Sequence, residues 1–119
     1  MSDLQCPARF LLLAGPDVSM AATLGHERAA AVYDGEGGPG AQALAEALGV
    51  PAQALAQPLT IAGVLARDAE AMGVLDDLAD RHRGETVVVT AQGSPGRRVD
   101  VAVDADGRTV EEVTPGDAR

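Results

Sequence analysis

Residues 86–93, Thr-Val-Val-Val-Thr-Ala-Gln-Gly, are an apolar, β-branched run that ends in a turn of small residues. A second apolar run, Phe10 to Ala14, ends in the same way at Gly15-Pro16. Unbroken apolar runs of this length are typical of strands that are buried on both faces of a parallel sheet. Ligands of open α/β sheets bind where such strands end, so we expect function at these two turns.

The rest of the chain predicts one small α/β domain over residues 1–119, with an ordered core over about 8–114. We expect three layers, with a mostly parallel sheet, flanking helices and a C-terminal β-hairpin. The predicted elements are a short strand over 29–33, a helix over 41–48, one long helix from its N-cap Thr60 to Gly84, a strand through Val99, Val101 and Val103, and a hairpin turn at Asp106-Gly107 that leads into 109–113.

The composition argues against several classes of partner. Eighteen acidic residues against nine basic ones give a net charge of −9, which repels nucleic-acid phosphates and anionic membrane surfaces. Only 2% of the residues are aromatic, so the chain has no stacking platform for bases. We therefore expect neither nucleic acid nor membrane as a partner. All nine basic residues are arginine, which indicates a GC-rich, actinobacterium-like genome.

The thiol and imidazole groups are too few for a disulfide or a zinc cage. Cys6 is the one cysteine, and His26 and His82 are the two histidines. The apolar run 10–14 is much shorter than the roughly 20 residues of a membrane span, and the first nine residues do not read as a secretory leader. These features predict a cytoplasmic protein with no metal and no cofactor.

The order of the pieces resembles the histidine phosphatase superfamily, the phosphoglycerate-mutase-like fold. The stretch from Leu75 to Gly93 carries the most specific part of the resemblance, a penultimate helix and strand that in the family continue into Ser-His-Gly. The other stretches are Phe10 to Gly15, Val32-Tyr33 followed by Ala43 to Pro51, and the closing hairpin Val99 to Val113.

The resemblance also implies that the catalytic groups are missing. Family members use a histidine nucleophile, two arginines, a second histidine and an acidic proton donor, since phosphoryl transfer depends on positioned charge. Here the family's Arg-His-Gly aligns with Ala14-Gly15-Pro16, and its last histidine aligns with Gln92. The loop that carries its second arginine is 34–40, which holds Asp34 and Glu36 instead. The chain is also short for the family, so we expect a truncated, degenerate member.

The candidate ligand-binding residues lie at or beside the two turns. They are Ala14, Gly15, Asp17, His26, Asp34, Glu36 and Gln92. Gln92 could orient a ligand or the backbone through its amide, whereas the three carboxylates could form an acidic rim or remain solvated. His82 is interpreted as a surface residue that favours the helix dipole, and Arg97 and Arg98 as partners of the surplus acids.

These observations predict a protein without catalytic residues that binds a small molecule or serves as a scaffold. Its ligand would be a small neutral or cationic molecule or a protein partner. Because a truncated sheet leaves edges uncovered, we expect a homodimer. The alternative is an enzyme of different chemistry on the same frame, an accessory step of a bacterial biosynthetic pathway that uses the polar residues of the pocket. An active phosphatase is not expected.

Overall fold

The structure is a computed structural model that describes residues 7–15, 28–37, 40–55, 57–94, 96–104 and 107–113. Six strands form one sheet in the order β3-β2-β4-β1-β5-β6. The elements in chain order are β1 (Ala8–Ala14), β2 (Ala29–Asp34), α1 (Gly40–Leu48), β3 (Ala52–Ala54), α2 (Ile61–Leu65), α3 (Ala69–Arg81), β4 (Thr86–Ala91), β5 (Arg98–Asp104) and β6 (Gly107–Val113).

The sheet is mostly parallel, as the two apolar runs predict. β4 pairs in parallel with β1 on one side and with β2 on the other, and β2 pairs in parallel with β3. β5 runs antiparallel to both β1 and β6, which confirms the C-terminal hairpin. β1 and β4 are central, and nearly all their side chains are buried.

Helices cover both faces of the sheet, so the predicted three-layer arrangement is confirmed. On one face, α1 packs Leu44 and Ala45 against Leu11, Leu13 and Val88. On the other face, α2 and α3 pack a larger cluster that includes Phe10, Leu12, Tyr33, Ile61, Val64, Met72, Leu75, Val87 and Val89. Alternation along each strand sends successive side chains into these two clusters, which is why runs such as Phe10 to Leu13 are apolar throughout.

The predicted long helix from Thr60 to Gly84 is wrong, because the chain breaks into α2 and α3. Thr60 does cap α2, with its hydroxyl accepting from the Gly63 N–H at 2.9 Å. α2 ends at Leu65 with Ala66 as its C-cap, and the next residue, Arg67, has a left-handed φ of 57°. The N–H groups of Arg67 and Asp68 donate back to the carbonyls of Val64 and Gly63, which is the Schellman pattern of a helix end. A new helix therefore starts after Asp68.

The strand β3 was not predicted. It has three exposed residues of the sequence Ala-Gln-Ala at the sheet edge, and alanine favours helix when taken alone. Its position comes from main-chain bonds at either end: Val32 donates to Pro51, and Leu55 donates to Asp34. In the part of the chain that the structure describes, no helix has the length and apolar character needed to cross a membrane.

Candidate functional site

The carboxyl ends of three neighbouring parallel strands meet at one edge of the sheet. β4 lies between β2 and β1, and the register sets the last residues of those two strands beside the end of β4. We call the residues at these ends the strand-end site: Ala14, Gly15, Asp34, Gly35, Glu36 and Gln92. The sequence-predicted candidates Ala14, Gly15, Asp34, Glu36 and Gln92 are therefore brought together. The candidates Asp17 and His26 lie outside the described residues.

A segment of the chain from Leu59 to Ile61, the closing segment, lies between the ends of β2 and β4. The Leu59 N–H donates to the Gly35 carbonyl at 2.9 Å, and the Gln92 N–H donates to the Leu59 carbonyl at 2.8 Å. The Ile61 N–H donates to the Gln92 carbonyl at 2.8 Å, so that Thr60 and Gln92 form a parallel bridge. The closing segment thus bonds to the main-chain groups that a ligand at this edge of the sheet would contact.

Main-chain donors of the strand-end site are used within the protein. The Gly35 N–H donates to the Thr90 carbonyl at 2.9 Å, and the Gln92 N–H is taken by the closing segment. Phosphate sites of α/β proteins depend on main-chain N–H groups that point at the ligand. The donors of Gly35 and Gln92 are not available for that purpose.

The end of β1 is also closed. Ala14 is fully buried, and its N–H and carbonyl are bonded to the Arg97 carbonyl and the Gly96 N–H at 3.0 and 2.9 Å. A Cβ added at Gly93 would lie 3.0 Å from Ile61 Cγ1 and 3.4 Å from Ala14 Cβ, so the fully buried Ile61 and Ala14 both lie close to Gly93. Ala14 is therefore enclosed, and the prediction that it contacts a ligand stays a prediction. Gly15 is exposed, with a left-handed φ of 56°.

Asp34 braces the loop that follows β2. Its Oδ1 accepts from the N–H groups of Glu36 and Gly37 at 3.0 and 2.8 Å and from the Thr90 hydroxyl at 3.2 Å. The Gly37 N–H has the largest effect and holds the pKa of Asp34 below its ordinary value. Burial opposes it, and the Glu36 N–H and the Thr90 hydroxyl lower the pKa further. The carboxylate is thus kept ionised and engaged, which suits a structural brace better than a general acid.

Gln92 and Glu36 face each other across the strand-end site. The exposed Gln92 side chain donates from Nε2 to the Glu36 carbonyl over a long 3.5 Å. Of the two roles that the sequence allowed for this amide, the observed contact is with the backbone. The Glu36 side chain is half-buried.

The nearby guanidinium groups are paired with carboxylates. Arg97 Nη2 lies 2.7 Å from Glu112 Oε2, and Arg98 Nε lies 2.8 Å from Asp100 Oδ1, which confirms the interpretation of these arginines as partners of acidic residues. Within the described ranges, no group of three or more His, Cys, Asp or Glu side chains could hold a metal ion.

A groove away from the strand-end site was not predicted from the sequence. It has a volume of about 230 Å³ and lies between β3 and α3. Its floor is largely apolar, and its rim carries one acid and one base. The lining residues are Tyr33, Gln53, Ala54, Leu55, Val74, Asp77, Leu78 and Arg81. The prediction could not include this groove because its wall, β3, was not foreseen as a strand.

A chain of three polar side chains ties this region to the end of α3. The Tyr33 hydroxyl lies 2.8 Å from His82 Nε2, and His82 Nδ1 lies 2.7 Å from Glu85 Oε1. Because a carboxylate only accepts, Nδ1 donates to Glu85, and in the neutral ring Nε2 accepts from Tyr33. His82 lies at the C-cap of α3, as the interpretation expected, but it is half-buried, with only 13% of its side chain exposed. A buried tyrosine hydroxyl requires a partner, which was the available signal, although the sequence does not identify that partner.

Comparison with family models, with curated proteins and with solved structures finds no match. The resemblance to the histidine phosphatases stays a prediction.

Proposed function

We propose that this protein acts by binding a partner and not by catalysis at the strand-end site. In this proposal the chain is a truncated, histidine-phosphatase-like α/β domain in which the site of phosphoryl transfer is closed. The observation that carries it is the closing segment, which bonds to Gly35 on one side and to both main-chain groups of Gln92 on the other. A substrate would have to displace these bonds before reaching the strand ends.

The charges at the same edge support this proposal. Asp34 is ionised and Glu36 lies two residues later, while the guanidinium of Arg97 is paired with Glu112. A phosphate dianion would therefore meet carboxylates where catalysis requires cations. The alternative of a repurposed enzyme has less support, because Asp34 is committed to three hydrogen bonds and the Gln92 amide does not titrate near neutral pH.

Phosphate binding and aryl phosphate hydrolysis test the proposal directly. We expect no hydrolysis of para-nitrophenyl phosphate and no rise in melting temperature with millimolar inorganic phosphate. We also expect the amide resonances of Gly35 and Gln92 to be unchanged by phosphate, since both N–H groups are already bonded. Hydrolysis that is lost in His26→Ala, or phosphate shifts at those two amides, would overturn the proposal.

A further inference from the structure

The edge strand β3 has main-chain groups directed away from the sheet. The Pro51 carbonyl accepts from Val32, and the Leu55 N–H donates to Asp34, so the odd-numbered residues of this segment face β2. In a parallel ladder, alternate residues direct their N–H and C=O groups to opposite sides. Ala52 and Ala54 therefore direct these groups outward, where a further strand could bond to them.

The two edges of the sheet differ in charge. The opposite edge, β6, carries Arg108, Glu111 and Glu112, and charged side chains on an edge strand discourage pairing with another strand. By contrast, β3 lies in a stretch from Ala47 to Ala66 that has no charged residue. Of the two edge strands, β3 is thus the one whose chemistry suits the addition of a further strand.

We propose that β3 pairs antiparallel with β3 of a second copy, around a two-fold axis that passes beside Gln53. This inference rests on the proposed binding function and names its partner. Around such an axis, Ala52 and Ala54 of the two copies exchange main-chain hydrogen bonds, and the two Gln53 residues form the closely spaced, non-hydrogen-bonded pair. Two primary amides are complementary to each other, since each donates and accepts.

Charge identifies a second copy as the occupant of this edge. Two molecules that each carry −9 repel each other, so they associate where their surfaces are locally neutral. A basic partner would instead be attracted to the acidic surface, because the uncharged edge offers it no charge complementarity. The groove between β3 and α3 continues to the same edge, because Gln53 and Ala54 line it. The two-fold axis therefore joins the grooves of both copies.

Sedimentation equilibrium on the full chain tests this inference with a matched pair of variants. Gln53→Lys sets two lysines against each other at the axis, whereas Thr109→Lys places the same charge on the exposed opposite edge. Both variants change the net charge from −9 to −8, which reduces general repulsion. We expect a wild-type dimer, a dissociation constant about 100-fold weaker for Gln53→Lys, and no weakening for Thr109→Lys. A monomeric wild type, or equal dissociation constants for the two variants, would overturn the inference.

Cross-linking tests the register independently. In a Cys6→Ser background, Gln53→Cys should form a disulfide-linked dimer with oxidised glutathione, because a non-hydrogen-bonded pair brings the two Cα atoms within disulfide range. Thr109→Cys should remain monomeric on a reducing-agent-free gel. Cross-linking through position 109 and not 53 would contradict the proposed pairing. These experiments do not depend on the phosphate assays. Failure of the proposed dimer and failure of the proposed closed site can therefore be distinguished.

Discussion

Gly35 occupies a position in the strand-end site where a side chain would collide with main chain. A Cβ there would lie 2.5 Å from the Thr90 carbonyl oxygen and 3.1 and 3.3 Å from atoms of Leu55 and Leu59. The Gly35 N–H also donates to that same carbonyl, so the backbone cannot move away without loss of the bond. The glycine is thus required by close approach.

We predict that Gly35→Ala lowers the free energy of unfolding by about 2 kcal/mol through overpacking. Urea unfolding followed by circular dichroism measures the change. Gly73→Ala is the matched control, because a Cβ at Gly73 meets nothing within 4 Å and alanine in a helix interior adds roughly 0.5–1 kcal/mol. Equal effects of the two substitutions would show that the closing segment does not pack as described.

Asp34 makes the stability of the same loop dependent on pH. Main-chain N–H groups hold its pKa below the ordinary value, so its stabilising contribution is present above the pKa of the unfolded chain. The contribution is lost as the pH falls through the lower, folded pKa. We predict that Asp34→Asn is less stable than the wild type near neutral pH. The difference should begin to narrow near the ordinary aspartate pKa of about 4 and should disappear only below the lower, folded pKa.

Thermal unfolding between neutral and acidic pH measures this convergence. Glu46→Gln, at an exposed position of α1, removes one charge elsewhere and serves as the control. The melting temperature of Glu46→Gln should follow that of the wild type with a constant difference over the same pH range. A constant gap between Asp34→Asn and the wild type would mean that the loop does not depend on the ionised carboxylate.

At the scale of elements, Arg67 marks the break between α2 and α3. Its φ of 57° lies in the region that costs most L-residues roughly 1–2 kcal/mol, and glycine is the usual residue at this point of a Schellman motif. We predict that Arg67→Gly stabilises the protein by about 1 kcal/mol relative to Arg67→Ala. Both variants lose the exposed hydrogen bond from Arg67 to the Arg108 carbonyl, so their difference in denaturant midpoint isolates the backbone effect. If α2 and α3 instead joined into one continuous helix in Arg67→Ala, the prediction would be contradicted.

The elements that the sequence predicted are those with a local signal. β1 and β4 are apolar throughout because both of their faces are buried, and α1 ends where Gly49 and Pro51 stop a helix. The break at Arg67 had no such signal, because arginine occupies the position where glycine normally announces a helix end. β3 was missed because three alanine-rich residues become a strand only through bonds to β2.

The strand-end site was predictable only in part. The parallel order of β2, β4 and β1 brings their ends together, and an apolar run followed by a small-residue turn indicates such an end in sequence. Closure of the site depends on Leu59 and Ile61 meeting Gly35 and Gln92. Contacts between loop residues so far apart in the chain leave no periodic pattern in the sequence. The sequence therefore indicated an open pocket at the place that the closing segment fills in the structure.

At the scale of the whole molecule, net charge determines how copies approach one another. Each copy carries −9, and the Debye length falls from about 10 Å at 0.1 M salt to about 3 Å at 1 M. Repulsion between two copies therefore acts across the dimer at low salt and is screened at high salt. The segment from Ala47 to Ala66, which includes β3, has no charged residue, so the strand pairing itself contains no attractive ion pair that salt could weaken.

We predict that dimerisation through β3 becomes tighter as NaCl rises from about 0.05 M to about 0.5 M. Sedimentation equilibrium at several salt concentrations gives the slope of the dissociation constant against salt. Thr109→Lys should show a slightly smaller slope than the wild type, since it lowers the charge on each copy. Gln53→Lys should recover part of its lost affinity, because salt also screens the two facing lysines. Weaker association at high salt would mean that opposite charges, such as Asp77 and Arg81 of the adjoining grooves, dominate the interface, and it would contradict a dimer held by the uncharged strand.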